Sequence, residues 1–261
     1  MEILPYLITG AVAGLMAGLL GIGGGLVIVP ALAFLFSRQG FPGETLMHFA
    51  VGTSLATIVV TSTASLLAHH RRASVDWRAV RRLTPGILAG ALGGAWLARQ
   101  TSSPALATVF GLFEILVALQ LLSGARPAAH RVLPGRAALM MAGGVIGAVS
   151  ALLGIGGGTL TVPYLLWHRV DIRAAVGTAA ACGLPVALAG AAGFALGDGD
   201  GTVPGPQSGF IDWPAAGGIV LASALAAPAG ARLAHHLPRR ILRLVFAGFL
   251  LLVGVKMILG V

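Results

Sequence analysis

Residues 19–30 read LLGIGGGLVIVP, and residues 152–163 read LLGIGGGTLTVP. Nine of the twelve positions are identical, and each copy sits inside an apolar block of more than 30 residues, Ile3–Phe36 and Ala137–Trp167. Drawn as one helix at 1.5 Å per residue, such a block is about 45–50 Å long. That exceeds the roughly 30 Å hydrocarbon core of a bilayer. Glycine tolerates positive φ and lets two backbones approach closely. The sequence therefore predicts a break at Gly21–Gly25 and another at Gly154–Gly158, with a short helix restarting at Leu26 and at Thr159.

Outward from the two copies, the repeat continues in order. Val51-Gly52-Thr53 recurs as Val176-Gly177-Thr178, Asp76-Trp77 as Asp212-Trp213, Gly94-Ala95-x-Leu97-Ala98 as Gly230-Ala231-x-Leu233-Ala234, and Phe110-x-x-Phe113 as Phe246-x-x-Phe249. The offsets stay within 125–136 residues. Six further apolar blocks accompany the two long ones: Thr45–Ala68, Leu83–Ala98, Pro104–Leu122, Ala174–Leu196, Trp213–Ala234 and Ile241–Val261. Each suits one crossing of about 20 residues, with Leu83–Ala98 on the short side. The chain reads as a duplication: a first transmembrane repeat over 1–122, a basic cytoplasmic linker over 123–136 and a second repeat over 137–261.

Composition places all of this in a bilayer. Of 261 residues, 57% are hydrophobic and 10% charged, against about 25% charged in soluble domains. The apolar runs are continuous, which disfavours a transmembrane barrel, where apolar and polar residues alternate. The net charge of +9 comes from short basic clusters between apolar blocks, the pattern of topology signals rather than of a nucleic-acid surface. A lone cysteine, Cys182, excludes an intramolecular disulfide, and the start of the chain lacks a basic signal-peptide region, so the first block is expected in the mature protein.

The basic residues also choose between two topologies. If each long block crosses once, the arginines divide eight against eight. If each folds back at its glycines, one side collects 14 basic residues and the other keeps only Arg38, Arg99 and Lys256. The positive-inside rule selects the second arrangement, with the linker cytoplasmic and both termini outside. The fold expected is an all-α polytopic membrane protein of two inverted-topology repeats, each beginning with a glycine-broken helix or hairpin followed by three spanning helices. Inverted repeats around broken helices are a signature of secondary transporters.

Candidate substrate-binding residues follow from chemistry. Helix N-termini exposed at a glycine break present amide donors that suit an anion, which nominates Gly21, Gly23, Gly24 and Gly25, and Gly154, Gly156, Gly157, Gly158 and Thr159. Tight helix packing is the competing explanation for such glycines. The hydroxyls of Thr53 and Ser54, and of Thr178 in the second copy, can donate to an anion without a buried charge; hydrogen bonding between helices is the competing explanation. Glu114 is the acid deepest in an apolar block and a proton-coupling candidate. Neither glycine cluster completes a Walker loop or a dinucleotide fingerprint. No hydrolase or metal-ligand constellation is present in the sequence, so neither an enzyme nor a cofactor is expected.

The duplicated LLGIGGG-x-x-x-VP, followed by VGTS (51–54), HHRRASVDW (69–77) and GA-x-LA (94–98), resembles the sulfite exporter TauE/SafE family of membrane transporters. The resemblance spans nearly the whole chain. It implies transport of sulfite, thiosulfate, sulfonates or related small organic anions across a bacterial cytoplasmic membrane, with export implied by the family's name. The second copy departs from the pattern at Ala179, where the first has Ser54, so the two half-sites need not be equivalent. A non-transporting membrane scaffold for a sulfur-metabolism enzyme is the alternative. The expected partners are a small anionic substrate, the lipid bilayer and a candidate coupling proton, with no nucleic acid.

Overall fold

The computed structural model describes residues 3–20, 24–123, 133–197, 206–234 and 239–260. Ten α-helices run through them: α1 Leu4–Leu20, α2 Gly25–Arg38, α3 Leu46–Arg71, α4 Trp77–Gln100, α5 Ser103–Ser123, α6 Arg136–Leu153, α7 Gly158–Trp167, α8 Ile172–Ala195, α9 Trp213–Ala234 and α10 Arg239–Leu259. A two-residue β-hairpin, Gln207–Ser208 with Ile211–Asp212, precedes α9. Six helices, or the greater part of them, are long and apolar enough to span a membrane: α3, α5, α6, α8, α9 and α10. Large apolar side chains such as Leu92, Trp96, Leu116, Leu225 and Leu252 are exposed on the outer surface, as lipid contact requires.

Helix ends follow local chemistry. The recurring Asp-Trp pairs are helix starts. Asp76 Oδ1 accepts from Arg78 N at 2.9 Å and Ala79 N at 3.1 Å, and Asp212 Oδ1 accepts from Ala215 N at 2.8 Å. Each aspartate is an N-cap that satisfies amides left free at a helix start. This cap extends α4 to 24 residues, well beyond the apolar stretch Leu83–Ala98 that the sequence marks. Both long blocks are broken where the glycines predict. α6 stops at Gly154, whose φ of +67° closes the helix in the left-handed region. α7 then begins at Gly158 with Gly157 as N-cap, and α2 begins at Gly25 with Gly24 as N-cap. Gly21 and Gly23 lie outside the described residues.

Each break is a reversal. Tyr6, near the start of α1, donates its hydroxyl to Gln39 Oε1 at 2.7 Å, just past the end of α2, and its ring centroid lies 6.5 Å from that of Phe36. Leu139 near the start of α6 shares an apolar cluster with Tyr164 of α7. So α2 and α7 are half-helices that return toward the face their parent block came from.

Several glycine contacts recur at the offsets of the sequence repeat. In the α1–α9 seam, Gly10 abuts Ile219 and Gly14 abuts Ser223; in the α4–α6 seam, Gly143 abuts Leu83 and Gly147 abuts Ile87. Gly230 meets Leu15 as Gly94 meets Ala148, and Gly52 meets the Phe210 carbonyl as Gly177 meets that of Ser74. All these pairs keep the sequence offsets. Within these seams the helices run parallel. The α3–α8 and α5–α10 pairs, by contrast, run antiparallel. Along α3 and α8, Gly52 faces Phe194, Leu55 faces Gly190 and Ser62 faces Gly183; along α5 and α10, Gly111 faces Gly254 and Met257 while Ile115 falls back to Gly254. These directions gather Arg71, Arg72, Arg78, Arg81, Arg82, Arg136, Arg169, Arg173 and Arg243 at one end of the helices, and Arg38, Arg99 and Lys256 at the other. Arg126 and Arg131 of the linker, with Asp198 and Asp200 of the loop before α9, lie outside the described residues.

Candidate functional site

The two glycine breaks meet inside the molecule. A Cβ added to Gly25 would lie 2.7 Å from the Gly154 carbonyl oxygen and 2.8 Å from Ile155 Cα, and one on Gly154 would lie 3.0 Å from Val51 Cα. Only residues without side chains let α2 start against the bend that ends α6. Ser54, from the middle of α3, donates its hydroxyl to the Gly154 carbonyl at 2.8 Å and is itself completely buried. Thr57 donates back to the Ser54 carbonyl at 2.7 Å. On the other half-helix, a Cβ on Gly157 would fall 3.1 Å from Gly183 N, and one on Gly183 would fall 2.9 Å from Ser62 Oγ. Gly156 faces Ile58. The structure thus brings Gly24, Gly25, Ser54, Gly154, Gly156, Gly157 and Gly158 into one region, bounded by α3 and α8.

The positive φ that the sequence suggests for both clusters is found, among the described cluster residues, at Gly154 alone. Gly24 and Gly157 adopt right-handed helical geometry with φ of −77° and −59°. What Gly25, Gly154 and Gly157 share is close backbone approach. Gly24 is roomier, since among the described residues a Cβ there meets the Ile28 side chain alone.

Thr53 and Thr178 do a different job. Thr53 Oγ1 accepts from Asp212 N at 3.0 Å, and Thr178 Oγ1 accepts from Asp76 N at 2.9 Å. Each tethers the Asp-Trp cap of the opposite repeat, so both hydroxyls already serve the fold. Burial pushes the Asp212 carboxyl above the usual carboxylate range, opposed by the Ala215 N–H. Glu114 is fully buried in the α5–α10 seam, where a Cβ on Gly254 would lie 3.3 Å from its own Cβ. Neither of its carboxyl oxygens hydrogen-bonds a described residue, and it is not among the residues around Gly25 and Gly154.

The two half-sites differ in access. Gly25, Leu26 and Val27 are buried, whereas Gly158, Thr159 and Leu160 at the start of α7 are half-buried. Beyond Ile58 none of α3 is buried, while the counterpart stretch of α8, Leu184–Phe194, is mostly buried, because α4 packs along α8 more extensively than α9 packs along α3. The uncovered stretch of α3 carries Thr61, Ser62, Thr63 and Ser65. At the opposite end, Phe36 stacks on Phe41 at 4.2 Å, and Phe49 packs edge-on to Phe41 at 5.2 Å and to Phe210 at 5.5 Å. The repeat offsets place Arg169, Ala174 and Ser74 where this end has Phe36, Phe49 and Phe210. Ser62 belongs to the hydroxyl-rich run that the sequence marks on α3, whereas Ile58 and Gly183 are neighbours it does not mark. Their signal was weak, because small and hydroxyl residues recur throughout α3 and α8.

The chain matches the description "Sulfite exporter TauE/SafE" over residues 6–257. It is 35% identical to a probable membrane transporter protein of Haemophilus influenzae, covering 98% of both chains. It is 31% identical to the probable membrane transporter protein YunE of Bacillus subtilis over 64% of this chain and 68% of that one. A probable membrane transporter protein of Methanocaldococcus jannaschii is 30% identical over 67% and 66%. No solved structure matches. With its glycine-broken helices, its apolar spans and a match that runs nearly from end to end, the chain belongs to the sulfite exporter TauE/SafE family.

Proposed function

We propose that this membrane transporter moves a small sulfur-containing or organic anion, of the sulfite, thiosulfate or sulfonate class, out across the bacterial cytoplasmic membrane by alternating access. The observation that carries the reading is the meeting of the two glycine breaks, with Gly25 against Gly154 and Ile155. Two half-helices begin there, and the described basic side chains lie near the helix ends. An anion at this depth would be held by amide donors, helix dipoles and hydroxyls rather than by a paired cation. One helix N-terminus contributes about 0.3–1 kcal/mol to a nearby negative charge, and up to about 2 when partly buried. Binding of that strength is weak and reversible, as suits a carrier that must release its cargo.

In this reading the two repeats are inverted in the membrane, over 1–122 and 137–261, with the basic end and the linker cytoplasmic and both termini outside. The antiparallel run of α3 against α8, and of α5 against α10, supports it, as does the division of arginines between the ends. The aromatic cluster around Phe36, Phe49 and Phe210 is the closed outer gate. The hydroxyl-rich face of α3 lines a crevice open to the cytoplasm, so the conformation is inward-facing. Gly24, Gly25, Gly154, Gly156, Gly157, Gly158 and Thr159 form the anion site, with Ser54 shaping it through its bond to the Gly154 carbonyl and Gly21 and Gly23 assigned to it from sequence. Thr53 and Thr178 act at its borders through the Asp-Trp tethers.

Purified protein in liposomes tests the reading. Efflux or uptake of sulfite, thiosulfate or a short sulfonate above protein-free vesicles is the expected result. No movement of any of them, from protein that is monodisperse in detergent, refutes transport and favours a scaffold. Glu114 is assigned the coupling proton, since it is a buried acid without a hydrogen-bond partner among the described residues. Glu114→Gln is expected to keep anion binding and lose the pH dependence of flux; an unchanged pH profile makes Glu114 a packing residue.

A further inference from the structure

A cavity runs along α2 from Val27, two residues past the break at Gly25, toward the Arg38 end of that helix. It has a volume of about 590 Å³, within the roughly 300–1,000 Å³ range of ligand clefts. It is framed by α1, α2, α5 and α10 at the end that is poor in basic residues. Its walls are mostly apolar, with Val12, Ala31, Ala107, Phe249 and Val253 among them, and Phe34 and Lys256 also contribute to its lining.

Charge at this end is sparse, which makes its arrangement informative. Of Arg38, Arg99 and Lys256, Arg99 is engaged, donating to the Gly193 carbonyl at 3.1 Å. The other two converge on one ring. Arg38 Cζ lies 4.9 Å from the Phe34 centroid and Lys256 Nζ lies 5.0 Å from it. The two cations are therefore less than about 10 Å apart, around the Debye length of 0.1 M salt. Neither hydrogen-bonds or ion-pairs with another described residue, and both side chains are exposed. Glu44, in the turn after α2, is an exposed acid at this end, but no described carboxylate ion-pairs with either cation. Two like charges brought this close repel each other, so an anion across them would be stabilised. An apolar cleft of this size beside that pair, on a surface facing lipid, matches an amphiphile with one negative head and a hydrocarbon tail.

We propose that this cleft binds an anionic phospholipid of the surrounding bilayer, with an acyl chain between α1, α2, α5 and α10 and the phosphate across Arg38 and Lys256. The tail is held by apolar burial and the head by two charge-assisted contacts. The site is independent of the transported anion. Because it touches α2, the half-helix that starts at Gly25, and the α5–α10 seam, its occupant would brace α2 against α10.

The test uses the purified chain in detergent, with thermal unfolding and native mass spectrometry as readouts. Phosphatidylglycerol is expected to raise the melting temperature and to remain bound as one added lipid, whereas phosphatidylcholine of the same chains does neither. The surface double variant Arg38→Gln/Lys256→Gln should weaken phosphatidylglycerol binding on the order of tenfold or more. Ala107→Phe, which fills the cleft, should abolish it. Glycerol 3-phosphate, which has the head but no tail, should have no effect. Equal effects of the two lipids, or an undiminished preference for phosphatidylglycerol in the double variant, would overturn the proposal. A full effect of glycerol 3-phosphate would overturn it too, leaving a small-anion site. Should Ala107→Phe not fold, the double variant and the headgroup comparison still decide the outcome.

Discussion

Thr53 and Thr178 separate two roles that look identical in sequence. If their hydroxyls chiefly hold the Asp212 and Asp76 amides, replacing either with valine leaves a backbone N–H without its partner, at a cost of about 1–3 kcal/mol. Thr53→Val is expected to cost more, because its bond is buried and that of Thr178 is only partly so. Thermal unfolding in detergent measures this, and Thr→Ser at either site should restore stability. An unchanged melting temperature with lost flux would make them substrate ligands instead. The glycines differ among themselves as well. Gly24→Ala is expected to be tolerated, since among the described residues the new methyl meets the Ile28 side chain alone, whose end can move. Gly25→Ala presses on the backbone of Gly154 and Ile155, and Gly154→Ala adds about 1–2 kcal/mol of left-handed strain to contacts with Val29 and Val51. Flux from variants that remain monodisperse should therefore fall in the order Gly24→Ala, then Gly25→Ala and Gly154→Ala. Equal flux from all three would dissociate the breaks from transport.

At the level of elements, glycine serves two ends. In the α1–α9 and α4–α6 seams it brings helix axes together, as small residues do in membrane interfaces. Gly14→Leu and Gly147→Leu should each drive a side chain into backbone, at Ser223 and Ile87 respectively, and abolish the monodisperse peak in size-exclusion chromatography. Gly93→Leu, at a position where an added Cβ meets nothing within 4 Å among the described residues, should behave as the parent within about 0.5 kcal/mol. Elution of Gly14→Leu and Gly147→Leu like Gly93→Leu would mean that the seams are looser than described. In the breaks, by contrast, the same residue ends one helix and lets the next start against a foreign backbone. Sequence spacing hints at the difference: the seam glycines recur at i and i+4 within helices (Gly10 and Gly14, Gly86, Gly90 and Gly94), and the break glycines are consecutive.

At the scale of the whole molecule, matching sequence does not give matching surroundings. Contacts repeat residue for residue in the seams and the Asp-Trp tethers, yet one end is packed with aromatic rings and the other leaves α3 uncovered. The inward-facing reading predicts where water enters. On a Cys182→Ala background, a cysteine at Thr61 or Ser65 should react with a membrane-impermeant maleimide from the cytoplasmic face, and a saturating anion should slow that reaction. A cysteine at Phe49 should be protected from the outside. Reaction of Ser65→Cys from the outer face alone would invert the proposed orientation and refute the inward-facing assignment.

The class of protein, the apolar blocks, the repeated motif and the places where two helices break were all legible in the chain before any folding. These follow from local rules: an apolar block longer than the bilayer cannot remain one spanning helix, and consecutive glycines are where it yields most easily. The count of basic residues also pointed to hairpins rather than single crossings, because charge placement reports on topology without any packing. Packing in three dimensions is what shows that the two breaks touch, that Ser54 bonds the bend at Gly154 while its neighbour Thr53 bonds Asp212 ahead of α9, and that Glu114 belongs to the α5–α10 seam. Adjacent residues on a helix point about 100° apart. Which of the two hydroxyls faces the site therefore depended on the position of α8 and α9 around α3, set by long-range packing that no local pattern encodes.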